Sequence, residues 1–587
     1  MNKPTRLFDL SEYQHVERPL QVALASKVNG EWITFSSEEF FETSQNLALG
    51  LLAEGFKPGD RIANISNNRP EWNFADQGML QMGAIHVPIY PTISDDDYKF
   101  ILKDAGVSGV FVSSQELFNR LLPIKNEINP DIKIYTFDRI DGAQHWSQLI
   151  ERSKETDVNQ LVSIKNSISP NDLATLIYTS GTTGNPKGVM LSHDNIMHDM
   201  LSSIERVPVG YQSKALSFLP LCHSFERMIT YIYMYQGISI YYAESMETIG
   251  DNLKEIKPQV FSCVPRLLEK VYGKIMDKAL ALKGIKKGLF FWALNLGLKF
   301  DYNVAGSSWY NFQLKLANKL IFSKWREALG GEVKCIVSGA AALQPRLAKV
   351  FWAAQIPVLE GYGLSETSPV IAVNDLPGKR VEVGAVGPPI SNIEVKIAAD
   401  GEILTRGRHV MLGYYNRPDL TAEVIDAEGW LHTGDIGEFT ALGNIKITDR
   451  KKEMFKTSGG KYIAPQVLEN KFKESPFIEQ IMVIGENEKF PAALISPNFE
   501  ALKVYAQNHN LPSQPSELIQ NKVIQDLFKS QIEKFNQGFG DWERIKRWEL
   551  CDKSWSLETG ELTPTLKLKR KFIAQKYQAL IESIYRG

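Results

Sequence analysis

The sequence predicts an α/β protein with a large N-terminal domain of layered α/β subdomains plus a small β subdomain, and a smaller α+β C-terminal domain. Three observations lead there. The chain has 587 residues, more than the ~250–300 at which a single core stops growing, so at least two domains are required. Helical and strand patterns alternate through the N-terminal part, which is the texture of parallel α/β layers. From Gly384 to Thr448 short β runs with Gly and Asn turns take over, and after Asp449 the pattern becomes α+β with many lysines. The domains are therefore expected at 1–448 and 449–587.

Taken in order, Phe40 to Leu52 has the apolar spacing of an amphipathic helix, and the turn Lys57-Pro-Gly-Asp60 leads into a strand from Arg61 to Ser66. Glu71 to Gly83 reads as a helix and His86 to Tyr90 as a strand. Leu173 to Tyr178 is apolar and β-favouring, so the polar loop after it hangs from a strand end. Met228 to Ala243 is the longest uncharged run, broken by Thr230, Gln236, Gly237 and Ser239. It falls short of the ~18–20 apolar residues that span a bilayer, and reads as a buried helix followed by a core strand. No transmembrane segment is expected. Gly284 to Leu329 is helical, aromatic and basic. Its aromatics are expected to pack inside the large domain; the alternative is peripheral membrane contact through 284–329. Val333 to Ser338, Arg346 to Ala354 and Pro357 to Leu359 repeat the strand–helix–strand theme.

Composition narrows the function classes. Hydrophobic residues at 43% and charged residues at 23% are ordinary for a soluble globular enzyme. A net charge of −2 argues against a nucleic-acid partner. Cys222, Cys263, Cys335 and Cys551 lie far apart without a CxxC, which disfavours disulfide frameworks and zinc ribbons and fits reduced thiols in the cytoplasm. His193 and His198 are off the i,i+4 spacing of a zinc helix. The start, Met1 to Arg6, lacks the apolar core of a signal peptide.

Six motifs carry chemistry. Tyr178-Thr-Ser-Gly-Thr-Thr-Gly-Asn-Pro-Lys-Gly-Val189 combines small residues, hydroxyls and one lysine, the means of gripping phosphate through backbone N–H groups. Its lysine precedes glycine, the wrong order for a Walker A loop. In Glu360-Gly-Tyr-Gly-Leu-Ser-Glu-Thr367, Gly361 and Gly363 permit close backbone approach, Tyr362 offers a ring face to a purine, and Glu366 offers a hard oxygen to Mg²⁺. Asp435, on the glycine turn of His432-Thr-Gly-Asp435, can accept hydrogen bonds from ribose hydroxyls. Asp449-Arg-Lys-Lys452 and Leu562-Thr-Pro-Thr-Leu-Lys-Leu-Lys-Arg570 read by themselves as solvated charged segments. The sixth is Leu219-Pro-Leu-Cys-His-Ser-Phe-Glu-Arg227.

Together these motifs resemble the adenylate-forming superfamily of acyl-CoA synthetases, peptide-synthetase adenylation domains and luciferases. Within it the chain is most similar to the long-chain fatty acyl-CoA synthetases, from about Trp32 to the C-terminus. The resemblance implies ATP-dependent conversion of a long-chain fatty acid to acyl-AMP and then acyl-CoA, with ATP, Mg²⁺ and coenzyme A as cofactors and a mobile C-terminal domain. By the same resemblance, Thr179, Ser180, Gly181, Thr182, Thr183, Gly184 and Lys187 hold phosphate. Ser338, Gly339 and Ala340 wall the adenine, Tyr362 stacks on it with Gly361, Gly363 and Thr367 alongside, and Asp435 and Arg450 contact the ribose. Thr179 and Glu366 ligate the metal, Lys452 is the hinge, and Gly459 opens the coenzyme A tunnel.

The catalytic set implied is Lys187, His223, Glu366 and Lys567, with Lys569 the rival to Lys567. His223 is either a structural histidine or a lining of the carboxylate and thiol path. Many members carry Thr where this chain has Ser365, which keeps the hydroxyl. Some long-chain members carry a gating tryptophan where this chain has Arg227, so no acyl gate is assigned. The alternatives are a fatty acyl-AMP ligase loading a carrier protein, a medium-chain or aryl acyl-CoA synthetase, and a silent nucleotide-binding sensor. Against the last, Lys187, Glu366, Asp435, Arg450 and Lys567 are all present. A cytoplasmic location, with peripheral contact on the inner face of a membrane as a variant, completes the expectation; oligomeric state is not read from the sequence.

Overall fold

The computed structural model describes residues 3–179, 185–304, 306–375, 380–563 and 567–586. The chain divides into two compact units. The first comprises Met1–Lys396, Leu404–Thr433 and Thr440–Ile445, and the second Ile397–Ile403, Gly434–Phe439 and Lys446–Gly587.

Two eight-stranded sheets build the first unit. One runs Val370–Val373, Val358–Gly363, Cys335–Ser338, Val260–Cys263, Lys214–Ser217, Ser239–Tyr242, Leu24–Val28, Glu31–Phe35, with its six inner strands parallel and its edges antiparallel. The other runs Gly413–Tyr414, Lys187–Ser192, Leu173–Thr179, Ile85–Ile89, Arg61–Ile65, Val107–Val112, Lys133–Thr136, Gln144–His145. It is parallel from Leu173–Thr179 onward, and antiparallel where Leu173–Thr179 meets Lys187–Ser192. The parallel layers expected from the alternating pattern are present.

Local signals account for the helices. Ser36 and Glu39 form a capping box ahead of the helix Ser37–Ala53. Pro70 occupies the first position of the helix Pro70–Gln81, where no N–H is needed, and nearly every residue of that helix is buried. The uncharged run resolves as expected: the buried helix Ser224–Gln236 stops at Gly237, whose φ of 68° suits glycine, and the chain re-enters as the core strand Ser239–Tyr242.

A polar knot sits inside this apolar mass. Arg227 is 1% exposed. Its guanidinium donates to Asp76 Oδ1 at 2.6 Å, Tyr231 Oη at 2.8 Å and Thr175 Oγ1 at 2.8 Å. Tyr231 donates to Asp76 Oδ2 at 2.8 Å, and His86 Nδ1 lies 2.7 Å from Asp76 Oδ1. Burial alone would raise the Asp76 carboxyl, but Arg227, His86 and Tyr231 outweigh it and hold it well below the usual carboxylate range. Burial, reinforced by Arg227, pushes the His86 imidazole down to about 4.

The aromatic segment divides. Phe290, Phe322 and Trp325 are buried in the core, and Tyr310 and Leu314 pack against it. Trp309 and Phe312 do not pack inside; they are 67% and 59% exposed on the helix Ser308–Ala317. The expectation of full burial fails there because a helix buries only the face turned to the core, here Tyr310, Leu314 and Ala317. No helix of the described residues is long and apolar enough to cross a membrane.

The short β runs between Gly384 and Thr448 supply a four-stranded sheet, Glu394–Ile397, Glu402–Arg406, Leu431–Phe439 and Ile445–Arg450. The second unit is α+β. Its three-stranded sheet, Ile478–Ile484, Ala492–Pro497 and Arg547–Leu550, is covered on one face by Leu502, Phe528 and Ile532, and on the other by Trp555, Ile573 and Ile584.

Removing one member of a buried ion pair strands the other charge, at about 3–5 kcal/mol. Arg227→Met will therefore lower the calorimetric midpoint of the first unit clearly, and Asp76→Asn combined with it will recover part of the loss. An Arg227→Met midpoint equal to wild type would remove the pair from its structural role.

Candidate active site

The phosphate-type loop closes the end of a β-hairpin. Thr179 and Lys187 sit opposite each other in antiparallel register, which fixes both ends of the loop between them. Ser180, Gly181, Thr182, Thr183 and Gly184 lie outside the described residues. Gly188 packs closely, since a Cβ there would meet the Tyr178 ring at 3.0 Å, and Tyr178 itself is tied down by donating to Asp104 Oδ2 at 2.6 Å.

A residue that the sequence reading missed joins this hairpin to the second motif. The short strand Gly413–Tyr414 pairs with Lys187–Ser192, Tyr414 opposite Val189. The Lys187 ammonium lies 4.9 Å from the centroid of the Tyr414 ring, a cation–π distance. The Tyr414 hydroxyl donates to Glu366 Oε1 at 2.8 Å. Burial and the adjacent carboxylate hold this phenol well above its ordinary value, so it stays a donor. Lys187 and Glu366 are thus brought together through Tyr414. A cleft of about 670 Å³ opens beside it, lined by Met190, Met411, Tyr414 and Thr421 among others.

The second motif follows the strand Val358–Gly363. Gly363 admits no side chain, because a Cβ would fall 1.7 Å from the Pro369 carbonyl. Gly361 is different: its Cβ position meets the Ala372 carbonyl and the Val373 side chain at 3.9 Å, an ordinary contact, so close packing does not demand glycine there. Parallel pairing places Ser338 opposite Glu360, the residue before Gly361, and Gly339 and Ala340 follow where that strand ends. Ala340 has a φ of +68°, a left-handed conformation costing a non-glycine residue on the order of 1 kcal/mol, and such strain clusters at functional sites. Tyr362 is buried. The Thr367 hydroxyl accepts from Leu364 N–H at 2.9 Å and lies 2.8 Å from Pro369 O, where it donates, so it shapes this turn.

His223 begins the helix Ser224–Gln236, its Nδ1 accepting the Phe225 N–H at 3.2 Å. Beside it, Ser224 Oγ is 3.2 Å from Ser365 Oγ, which brings the helix start against the Glu366 turn. Asn68 fixes the loop ahead of it, donating to Leu219 O at 2.6 Å and accepting from Leu221 N–H at 3.0 Å.

The second unit carries the remaining residues. Arg450 Nε donates to Asp435 Oδ1 at 2.7 Å, so these two meet directly. Lys451 is clamped by Asp400 at 2.6 Å and Glu402 at 2.8 Å, and exposed Lys452 follows it. Gly459 is exposed with no steric need to be glycine. Lys567 is exposed, with its backbone locked to Thr563 by hydrogen bonds of 2.8 and 3.0 Å. Arg570, three residues on, is bound by Glu453 at 2.9 Å and Glu469 at 2.6 Å.

Residues 12–415 match the model of the AMP-binding enzyme family, and residues 453–587 match that of the AMP-binding enzyme C-terminal domain. The chain belongs to the AMP-binding enzyme family. Among curated members, it is 31% identical to the long-chain-fatty-acid–CoA ligase FadD15 of Mycobacterium tuberculosis over 567 residues, 95% of this chain and 93% of that one. It is also 31% identical to human long-chain-fatty-acid–CoA ligase 1 over 591 residues, 94% and 82% of the two chains. Among solved structures, the adenylation domain of the carboxylate reductase of Mycobacterium chelonae superposes with a TM-score of 0.75 at 21% identity, covering 100% of this chain and 92% of that one. This AMP-binding enzyme therefore has the adenylate-forming fold along its whole length.

Its second motif also holds a buried acid. Burial pushes the Glu360 carboxyl from 4.5 up to about 8. A raised acid stabilises the fold below its unfolded pKa, and that contribution is lost as pH rises toward the folded value. Glu360→Gln will thus gain thermal stability over wild type progressively from pH 5 to pH 8. A midpoint difference that stays flat across this window would mean that Glu360 does not titrate as its burial requires.

Proposed function

We propose that this chain is an ATP-dependent long-chain fatty acid–CoA ligase, forming acyl-AMP and pyrophosphate and then acyl-CoA and AMP. The observation that carries the adenylation step is the Lys187–Tyr414–Glu366 link, which sets a phosphate-binding cation and a metal-type carboxylate a single side chain apart. Relatives named as long-chain-fatty-acid–CoA ligases, similar along nearly the whole chain, support the substrate class.

A fatty carboxylate is already ionised near pH 7, so no general base is needed. The barrier lies in bringing an anion to a polyanion and in stabilising charge on the transferring phosphoryl oxygens, a task of positioning and electrostatics. Lys187, Thr179 and the loop 180–184 hold the terminal phosphates, Gly361 and Tyr362 with Ser338 to Ala340 take the adenine, and Asp435 with Arg450 takes the ribose. Glu366 and Thr179 offer hard oxygens that fit Mg²⁺, which needs one or two carboxylates beside substrate phosphates. Bound there, Mg²⁺ neutralises phosphate charge. Lys567 of the domain 449–587 neutralises charge at the α-phosphate and carboxylate. In the second half-reaction the coenzyme A thiol attacks the acyl carbonyl past Gly459 and His223 while AMP leaves, after a turn about Lys452. The cysteines, all unpaired and buried, fit a cytoplasmic location, and the segment 284–329 gives peripheral contact with the inner face of a membrane.

The deciding assay follows AMP and thioester from acetate, octanoate, palmitate and benzoate, with and without coenzyme A. Palmitate-dependent AMP that rises with coenzyme A and yields palmitoyl-CoA is expected. Adenylate that accumulates while coenzyme A changes nothing would replace the ligase with carrier-protein loading, and no AMP from any acid would leave a silent binder.

Half-reactions separate the residues. Lys567→Ala will slow adenylation about 10²–10³-fold yet leave thioester formation from supplied acyl-AMP intact, and Lys452→Pro will do the reverse. Equal losses in both halves for either variant would defeat this division of labour.

A further inference from the structure

The segment Gly284 to Leu329 leaves one helical face uncovered. Along the helix Ser308–Ala317 and the turn Asn318–Phe322 that continues it, Trp309, Phe312, Leu316 and Leu320 are exposed at 67%, 59%, 40% and 42%. Their spacing of three, four and four places them on one stripe. Trp309 and Phe312 stack with ring centroids 5.7 Å apart. The core-facing side of the same segment is complete without them: Ala317 and Phe322 are fully buried, and Tyr310 donates to Leu296 O at 2.9 Å. The stripe is therefore a second apolar face rather than leftover core.

Charge says what covers it. Between residues 283 and 324 stand seven lysines and one acid, Asp301, in a chain whose net charge is −2. Lys315 and Lys319, both exposed, follow Phe312 by three and seven residues and so line the edge of the stripe. Lysine is depleted at the cores of protein–protein interfaces, and a symmetric contact with a second copy would bring these lysines toward one another. Exposed Trp and Leu bordered by lysines instead match the interface of an anionic bilayer, where aromatic rings sit at headgroup level and ammonium groups meet lipid phosphate.

We propose that the stripe Trp309–Phe312–Leu316–Leu320, with Lys315 and Lys319, docks this enzyme on an anionic membrane surface. The proposal deepens the peripheral contact named above and rests on the ligase reading only for its purpose, since long-chain fatty acids partition into bilayers. Docking itself requires no catalysis.

The test floats the full chain with phosphatidylcholine vesicles, with and without phosphatidylglycerol, at low and high salt, without ATP, fatty acid or coenzyme A. Binding that requires phosphatidylglycerol and weakens with salt is expected. Trp309→Ser/Phe312→Ser and Lys315→Glu/Lys319→Glu should each reduce partitioning about tenfold or more, with palmitate adenylation in detergent micelles unchanged. The lysine pair alters only exposed positions, so it reports even if the aromatic pair destabilises the helix. Absence of binding to anionic vesicles, or binding that neither variant weakens, would overturn the proposal. So would a dimer in light scattering that Trp309→Ser/Phe312→Ser converts to monomer, which would make the stripe a self-interface. Failure of adenylation with vesicle binding intact would instead count against the ligase reading alone.

Discussion

The guanidinium buried at Arg227 is the constraint around which the large unit is arranged. An ion cut off from water must find partners on every side. Here they come from the helix Pro70–Gln81 through Asp76, the strand Ile85–Ile89 through His86, the strand Leu173–Thr179 through Thr175, and the Arg227 helix itself through Tyr231. Two of these elements go on to build the site. Leu173–Thr179 ends at Thr179, the first residue of the phosphate-type loop, and the helix Ser224–Gln236 begins at His223 and Ser224, against the Glu366 turn. One ion pair in the core thereby fixes two edges of the site at once.

At the site the same economy of charge applies in reverse. A lysine and a glutamate in direct contact would neutralise each other, whereas the proposed mechanism sets Lys187 on a ligand's phosphates and Glu366 on its metal. Tyr414 stands between them, giving its ring face to Lys187 and its hydroxyl to Glu366. Both groups are thereby oriented by one side chain. Gly363 serves a related end, holding the turn at a distance from the Pro369 carbonyl that no Cβ would tolerate, while Gly188 lets the Tyr178 ring pack 3.0 Å from where a Cβ would stand.

What was legible in the sequence was local. The loop after Tyr178 hangs from a strand as its β-favouring run required, the run Met228 to Ala243 turns at Gly237, and the change of texture after Gly384 corresponds to the four-stranded sheet. The motif residues joined by neighbouring strands, Ser338 with Glu360 and Thr179 with Lys187, also fall together. What stayed hidden was long-range. Arg227 and Asp76 are 151 residues apart and Tyr414 and Glu366 are 48 apart, and no periodicity reports such pairings. Tyr414 could have drawn notice only as an aromatic in a Gly-Tyr-Tyr-Asn turn, a composition too common to mark a site. In the same way the aromatic content of Gly284 to Leu329 was visible, but which rings face the core depends on how the helix is rotated against it, and Trp309 and Phe312 fell on the wrong side for the packing expectation.

The C-terminal basic run shows how one motif can hold two opposite solutions. Read as composition, Leu562 to Arg570 is a single solvated stretch. Within the second unit its cations diverge: Arg570 is largely withdrawn from water between Glu453 and Glu469, while Lys567 remains exposed on a backbone locked by Thr563. Burial alone would lower the Arg570 guanidinium, but the two carboxylates outweigh it and raise it, so it is charged at every working pH. Glu453 is the residue after Lys452 in the chain. The ion pair therefore ties the segment that presents Lys567 directly to the position assigned as the hinge, across a gap of 117 residues. In the proposed mechanism Lys567 serves one half-reaction and withdraws for the next, and slack between it and the pivot would let the hinge turn without carrying the charge. A surface pair would contribute little to such a link; Arg570 is instead largely buried and held at two points, by Glu453 and Glu469.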